Sequence, residues 1–296
     1  MNKPVIIDIF RELSSDLDYN YWIDRAKIFP YIVIIGGGGN GSYITQNIAQ
    51  MMNIFDMNGF MLLADSDIVE SKNLNNQLFI DKDLGEKKAK VLAKRYGSHY
   101  KVSIASYDVD YVESVETLES LFSNTEYLDC HSHDTIFFPI LVGAVDNNFT
   151  RQIMHKYFQQ TDRLLYIDVG VEGAKVPSDT RSMDQWTEDE RKTYRNSGYT
   201  GQVVAGLKID GETILAPVAD VFPEILGDKD SIAPSQLACS NIMSEEPQRL
   251  ITNKFAAMAV YPYINEIFES GQISNHMTLF HAKRGYMRTT PITMDE

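Results

Sequence analysis

A run of glycines between a strand-like and a helix-like segment constrains the fold of this chain more than any other feature. The run is Gly36-Gly37-Gly38-Gly39-Asn40-Gly41, and it follows the apolar, β-branched segment 31–35. In the segment after it, 42–53, apolar residues recur at helical spacing. Glycines let the backbone turn tightly and approach a ligand, and a helix that starts there offers free N–H groups to an anion. The order strand, glycine turn, helix is typical of a nucleotide-binding α/β domain.

Strand-like and helix-like segments alternate over the first 170 residues. Strands are predicted at 31–35, 60–64, 102–107, 138–145 and 164–169, and helices at 42–53, 86–96 and 149–157. This alternation predicts a Rossmann-like, doubly wound α/β fold with a mainly parallel sheet. Further strands at 203–209 and 213–218, a helix at 251–268 and a hairpin at 277–290 predict C-terminal antiparallel strands and a terminal helix–hairpin.

The chain shows no clean linker, which favours one continuous domain. Residues 1–30 are interpreted as an N-terminal extension, partly helical, and residues 31–296 as the domain itself. Within the domain, residues 174–200 are polar, charged and weakly periodic, so we interpret them as a surface or crossover segment.

Charge and cysteine content exclude several classes of function. The 296 residues carry 41 acidic and 27 basic side chains, a net charge of −14. A protein that binds nucleic-acid phosphates or anionic lipids usually has more basic than acidic side chains. We therefore expect no nucleic-acid or membrane partner. The two cysteines are too few for a disulfide framework. No apolar run reaches the roughly 18 residues of a membrane span, and the N-terminus does not resemble a signal peptide, so we expect a cytoplasmic protein.

Asp65 stands at the end of the second predicted strand. A carboxylate at this position can accept hydrogen bonds from both hydroxyls of a ribose. Together with the glycine run it predicts a site for an adenine mononucleotide or dinucleotide. These two features alone do not choose between ATP and NAD.

Four short motifs in order carry a resemblance to a known family. They are Asp-Ser-Asp-Ile-Val at 65–69, Asn-Leu-Asn-Asn-Gln at 73–77, Gly-Glu-Lys-Lys-Ala at 85–89, and Asp-Asn at 146–147 followed by Arg151. With the glycine run, they resemble the ThiF/MoeB superfamily, which includes ubiquitin-activating enzymes. The resemblance covers roughly residues 31–295, so that residues 31–296 correspond to a ThiF-type adenylation domain.

The C-terminal part of the chain is most similar to the ThiF-like subgroup found with bacterial PRTRC-type gene clusters. The residues that carry this similarity are Cys239-Ser240, Gln248, Leu250, Asn253 and a closing Arg-Thr-Thr-Pro-Ile segment.

The resemblance implies an activity and its partners. Family members bind ATP and adenylate the C-terminal carboxylate of a ubiquitin-like or sulfur-carrier protein, with Mg²⁺ as the metal. Many then capture that carboxylate on a cysteine as a thioester. Relatives are commonly homodimers, and the implied partners extend to an enzyme of the ubiquitin-conjugating type.

The resemblance also assigns roles to residues of this chain. Asp65 would hold the ribose, Lys88 would contact the phosphates, and Asp146 would hold Mg²⁺. Cys239 is the candidate acceptor of the activated carboxylate; an unreactive cysteine at a loop–helix junction is the alternative. The other residues placed at the nucleotide are Gly36, Gly38, Gly39, Gly41, Asp67, Asn73, Asn76, Gln77 and Asn147.

One departure from the family pattern keeps a second function open. Asn76 stands where the family has an arginine that contacts the triphosphate. By analogy with other phosphate-stabilising arginines, its loss could cost on the order of 10³-fold in rate. The alternative is therefore a catalytically degenerate nucleotide-binding scaffold of the same fold. A Rossmann NAD-dependent oxidoreductase is a third hypothesis, but hydride transfer does not require the motifs at 73–77 and 146–147.

Overall fold

The computed structural model describes residues 3–13, 27–123, 135–179, 181–227, 233–236 and 247–293. Up to residue 171 the described chain forms β1 (Ile7–Asp8), α1 (Ile9–Leu13), β2 (Lys27–Ile35), α2 (Gly39–Ile54), β3 (Phe60–Ala64), α3 (Lys88–Tyr100), β4 (Ile104–Tyr107), α4 (Val115–Phe122), β5 (Thr135–Gly143), α5 (Asn148–Gln160) and β6 (Leu164–Val171). Beyond it come α6 (Glu188–Asn196), β7 (Thr200–Ile209), β8 (Glu212–Leu215), α7 (Val218–Val221), α8 (Glu224–Gly227), α9 (Leu250–Ser270), β9 (Gln272–Ile273), β10 (Asn275–His281) and β11 (Tyr286–Pro291).

The central sheet is mixed, with a parallel part and an antiparallel part. Its strand order is β11-β10-β7-β6-β5-β2-β3-β4, with β8 paired to β7. Strands β6, β5, β2, β3 and β4 run parallel, while β7, β8, β10 and β11 pair antiparallel. The chain proceeds from β2 outward to β4 and then returns to the other side of β2 with β5. The carboxyl ends of β2 and β5 therefore form the topological switch point, where such sheets bind ligands.

Helices cover both faces of the parallel strands, and β2 illustrates why. Its side chains alternate between two cores because successive residues of a strand point to opposite faces. Ile32 and Ile34 pack in the core that contains α2, α3 and α9, whereas Tyr31 and Val33 pack in the core that contains α4 and α5. This double burial explains the apolar run in the sequence. The prediction of a Rossmann-like, mainly parallel fold with C-terminal antiparallel strands and a terminal helix–hairpin is confirmed.

Strand β2 begins four residues earlier than predicted. Lys27 already pairs in parallel with Thr135, and Ile28 and Phe29 are buried. Pro30 hides this start in the sequence, because proline donates no ladder hydrogen bond and argues against a central strand.

The polar segment at 174–200 contains helix α6, which our interpretation of a weakly periodic segment did not include. None of its described side chains is buried, and its sequence therefore has no apolar residues that recur at helical spacing. A capping box starts it instead. Thr187 accepts a hydrogen bond from the Glu190 N–H at 3.2 Å, and the Glu190 carboxylate accepts one from the Thr187 N–H at 2.7 Å. No described helix combines the length and hydropathy of a membrane span.

Candidate functional site

The glycine run forms a tight loop between β2 and α2 at the switch point. Gly36 has a φ of 96°, which favours glycine, and a side chain there would lie 2.8 Å from the Ala144 carbonyl oxygen. A side chain on Gly41 would overlap the carbonyl of Gly36. The loop therefore lies against the end of β5, and helix α2 starts without any side-chain cap. Its first N–H groups are available to an anionic ligand.

Asp65 connects this loop to the end of β3. One carboxylate oxygen accepts a hydrogen bond from the Gly37 N–H at 2.6 Å, and the other accepts one from the Asp67 N–H at 2.9 Å. Burial raises the pKa of Asp65, against the opposing charge of Lys88. Each carboxylate oxygen has two lone pairs, so both retain capacity for a ribose hydroxyl.

Lys88, at the first position of α3, supplies a buried cation to the same region. Its side chain is only 8% exposed and its ammonium group lies 2.9 Å from a carboxylate oxygen of Asp67. Burial alone would lower the pKa of Lys88, but the carboxylates of Asp65, Asp67 and Asp146 outweigh it and raise the pKa. Lys88 therefore keeps its positive charge in the crevice, by which we mean the space at the switch point beside the glycine loop and the end of β3. The hydroxyl of Tyr111 donates to the other oxygen of Asp67 at 2.7 Å.

Asp146 and Asn147 follow β5 at the switch point, and they play different structural parts. Asp146 is exposed. The Asn147 side chain accepts the Thr150 N–H at 2.8 Å and caps α5. Arg151 fixes the turn before them, because it donates to the Val145 carbonyl at 2.6 Å.

The motif at 73–77 lies on a 3₁₀ turn beside the glycine loop. Asn73 is buried, and its side chain accepts the Glu70 N–H at 2.8 Å. Gln77 faces the loop, with its Nε2 3.9 Å from where a Cβ of Gly38 would lie. Asn76 is half-buried at the end of the turn. Asn73 therefore holds the turn, and Gln77 is the motif residue presented to the loop.

Of the eight buried side-chain polar atoms without a hydrogen-bond partner in the described residues, four lie at the glycine loop. Among the described residues, Oδ1 of Asn40, Oε1 of Gln77 and both amide atoms of Asn253 make no hydrogen bond. Buried polar groups are nearly always paired, so such a cluster indicates a polar ligand. The uncapped helix and this cluster fit the phosphates and sugar of a nucleotide.

A magnesium ion also fits the donors at this edge. The described residues contain no cluster of three or more His, Cys, Asp or Glu side chains. Mg²⁺ usually takes one or two carboxylates and completes its shell with phosphate oxygens and water. Asp146, exposed at the switch point, is a suitable carboxylate of this kind.

The structure brings together most of the residues that the sequence indicated. The glycine loop, Asp65, Asp67, Lys88 and the motifs at 73–77 and 146–147 share one edge of the sheet. Cys239 lies outside the described residues. Sequence reasoning missed Tyr111, which stands in no motif, and it gave no role to Asn253 although the residue was part of the C-terminal resemblance.

The fold and the loop at its switch point place the chain in the class of Rossmann-like α/β proteins. Within this class, the model of the ThiF family matches residues 28–254. Because the match spans most of the chain, the protein belongs to the ThiF family. No curated protein sequence matches it significantly.

Solved structures share the fold at low sequence identity. A complex of E. coli MccB with MccA has a TM-score of 0.54 and 14% identity, over 90% of this chain and 64% of that one. E. coli MccB with ATP has a TM-score of 0.53 and 13% identity over the same shares. PaaA has a TM-score of 0.52 and 14% identity, also over 90% and 64%. The chain thus spans just under two thirds of the length of these proteins.

Proposed function

We propose that this protein binds ATP at the switch point and adenylates the C-terminal carboxylate of a peptide or small carrier protein. The observation that carries the proposal is the joint placement of the glycine loop, Asp65 and buried Lys88 among unpartnered polar atoms. Membership of the ThiF family supports it. The structures of MccB with ATP and with MccA support the same classes of ligand. Within these classes we favour a ubiquitin-like or sulfur-carrier protein.

The proposed chemistry is an attack by a carboxylate oxygen on the α-phosphorus of ATP. The bond from that phosphorus to the bridging oxygen breaks, and pyrophosphate leaves with the electron pair. The N–H groups at the start of α2 hold the phosphates, and Asp65 accepts the ribose hydroxyls. Lys88 stabilises the charge that develops on the leaving pyrophosphate. Mg²⁺ held by Asp146 would neutralise further phosphate charge.

Asn76 favours a second candidate function, a nucleotide-binding scaffold without catalysis. The Asn76 side chain is neutral at the position where the ThiF/MoeB pattern has an arginine. The ammonium group of Lys72, four residues earlier in the chain, already pairs with the Glu70 carboxylate at 2.8 Å. Pyrophosphate exchange into ATP separates the two candidates. Exchange that depends on a ubiquitin-like carrier supports adenylation. ATP binding without exchange, across carriers with free C-termini, supports the scaffold.

The first experiment measures nucleotide binding by calorimetry and thermal unfolding. We expect ATP with Mg²⁺ to bind in preference to NAD and to stabilise the protein by about 2.7 kcal/mol at a hundredfold excess over Kd. Asp65→Asn should abolish this shift, whereas Asp110→Asn, a change at an exposed carboxylate, should retain it. Preference for NAD would contradict the proposal and favour an oxidoreductase.

A thioester step on Cys239 and a homodimeric assembly are further parts of the proposal. The chain has two cysteines, and Cys130 therefore provides a matched control. We expect Cys239→Ser to abolish a thiol-labile adduct with the carrier, with pyrophosphate exchange unchanged, and Cys130→Ser to retain both.

Sedimentation should give twice the monomer mass of 33.6 kDa. A ubiquitin-conjugating-type enzyme is then a candidate to receive the thioester.

A further inference from the structure

Helix α9 reaches the glycine loop from a distant part of the sequence. A methyl group on Gly39 would overlap Nδ2 of Asn253 and lie 2.7 Å from Oε1 of Gln248. Gly39 is the first residue of α2, so both side chains lie directly beside the uncapped start of that helix. Asn253 thus lies beside the first turn of α2, whose N–H groups would bind an anion.

The carboxamide of Asn253 is buried and makes no hydrogen bond. The residue is 0% exposed, and neither Nδ2 nor Oδ1 has a partner. An unpaired buried amide costs free energy that an apolar side chain of similar size would not. A residue that lowers stability in this way, at the edge of a ligand crevice, is typical of a group that acts on the ligand.

The charges of the crevice favour an added neutral donor. Lys88 shares its positive charge between Asp67 and any bound phosphate, and Asn76 is neutral where the ThiF/MoeB pattern has an arginine. The N–H groups of α2 therefore need help from other donors to hold a highly charged phosphate chain. The Nδ2 of an asparagine can donate two hydrogen bonds without carrying a charge.

We propose that Asn253 is a further binding group of the nucleotide site, whose Nδ2 donates a hydrogen bond to the phosphate chain of a nucleoside triphosphate. The proposal rests on the proposed ATP site and adds α9 to its walls. Gln248 is half-buried and lies beside the same glycine.

The test compares Asn253→Leu with wild type. Leucine has the branched shape of asparagine with the same number of side-chain heavy atoms, and it removes the unpaired amide, so we expect an unchanged or higher melting temperature without nucleotide. Calorimetry should show ATP affinity reduced about tenfold or more, because a hydrogen bond to a charged group is lost. Affinity for AMP, which lacks the β- and γ-phosphates, should change by less than about twofold.

Thr252→Val is the matched control on the neighbouring position of α9. Thr252 is buried too, but its hydroxyl donates to the Gly198 carbonyl at 2.7 Å. Its replacement should lower the melting temperature and leave ATP affinity within about twofold.

The outcomes separate this proposal from the proposed function. If wild type fails to bind ATP, the ATP site itself is wrong. If wild type binds ATP and Asn253→Leu binds it equally well, or loses ATP and AMP equally, Asn253 does not serve the phosphates. Failure of both Asn253→Leu and Asn253→Ala to fold would show that the amide serves the fold, and this too overturns the proposal.

Discussion

The ion pair between Asp67 and Lys88 makes the crevice sensitive to acid. Burial acts to raise the pKa of Asp67, but the charge and hydrogen bond of Lys88 and the hydroxyl of Tyr111 outweigh it, so the pKa lies below the ordinary 3.8. A carboxyl with a lowered pKa stabilises the folded state above its unfolded pKa, and this contribution disappears as the pH falls through the folded value.

We therefore expect Asp67→Asn to destabilise the protein by an amount that depends on pH. The difference in free energy of unfolding from wild type should be constant from about pH 7 to pH 5 and should shrink below about pH 4. Urea unfolding at a series of pH values measures it. Asp110→Asn, at an exposed carboxylate outside this network, should show no such trend. A difference that grows in acid would contradict the lowered pKa.

Residues that belong to a contiguous motif could be predicted from the sequence, and residues that act across the fold could not. The motifs at 65–69 and 85–89 predict that Asp67 and Lys88 share one site, and the structure pairs them. Tyr111 reaches Asp67 only because β4 lies next to β3 in the sheet. That neighbourhood is a property of strand order, and no local pattern around Tyr111 encodes it.

The packing of α2 against α9 depends on the absence of a side chain at Gly39. A methyl group there would overlap Nδ2 of Asn253. We expect Gly39→Ala to lower the free energy of unfolding by about 1–3 kcal/mol, the usual cost of overpacking. In an Asn253→Ala background the same change should cost much less, because the obstructing amide is gone.

Gly227→Ala is the control for this cycle. No heavy atom of the described residues lies within 4 Å of where a Cβ of Gly227 would be, so the substitution should have little effect. Equal costs of Gly39→Ala in both backgrounds would show that the backbone at Gly39 or its contact with Gln248, and not its contact with Asn253, sets the penalty.

Arg151 joins the end of β5 to β6 through a buried ion pair. Its Nε lies 3.0 Å from a carboxylate oxygen of Asp168, which is fully buried and also accepts the Tyr166 hydroxyl. Removal of one partner leaves an uncompensated buried charge. We expect Arg151→Met to cost about 3–5 kcal/mol in urea unfolding. Arg151→Met combined with Asp168→Leu should cost less than the sum of the two single changes.

An exposed ion pair provides the comparison. Arg163 and Asp210 also lie 3.0 Å apart, but both side chains are solvent-accessible. Arg163→Met should therefore change the free energy of unfolding by less than about 1 kcal/mol. Equal effects of Arg151→Met and Arg163→Met would mean that water reaches Asp168 in the folded state.

Elements with an apolar pattern were predictable, whereas elements stabilised by other means were not. Strand β6 and helix α9 are evident in the sequence because one or two of their faces are buried. Helix α6 buries no side chain, and its capping box is a shorter signal than a periodic stripe. The β1–β9 pair joins residues more than 260 positions apart, so only the whole fold defines it.

At the scale of the whole molecule, the two ends of the described chain are joined. Pro4 forms a bridge with Thr293, and Ile7 pairs with Ile273 in an antiparallel ladder. The Ile9 N–H donates to the Gly271 carbonyl at 2.9 Å, and its side chain is completely buried in the core that contains α2 and α9. Ile7 and Ile9 of the N-terminal segment 3–13 are thus part of this core.

This closure makes a specific prediction for Ile9→Ala. The change removes a fully buried aliphatic side chain, and we expect a loss of about 2–5 kcal/mol in the free energy of unfolding. Ile6→Ala, in the same segment, removes a side chain of a residue that is 59% exposed and should cost less than about 0.5 kcal/mol. Urea unfolding followed by circular dichroism measures both. Equal, small effects of the two substitutions would mean that residues 3–13 detach before the rest of the protein unfolds. A substitution in a segment that has already detached does not change the free energy of unfolding of the rest of the protein.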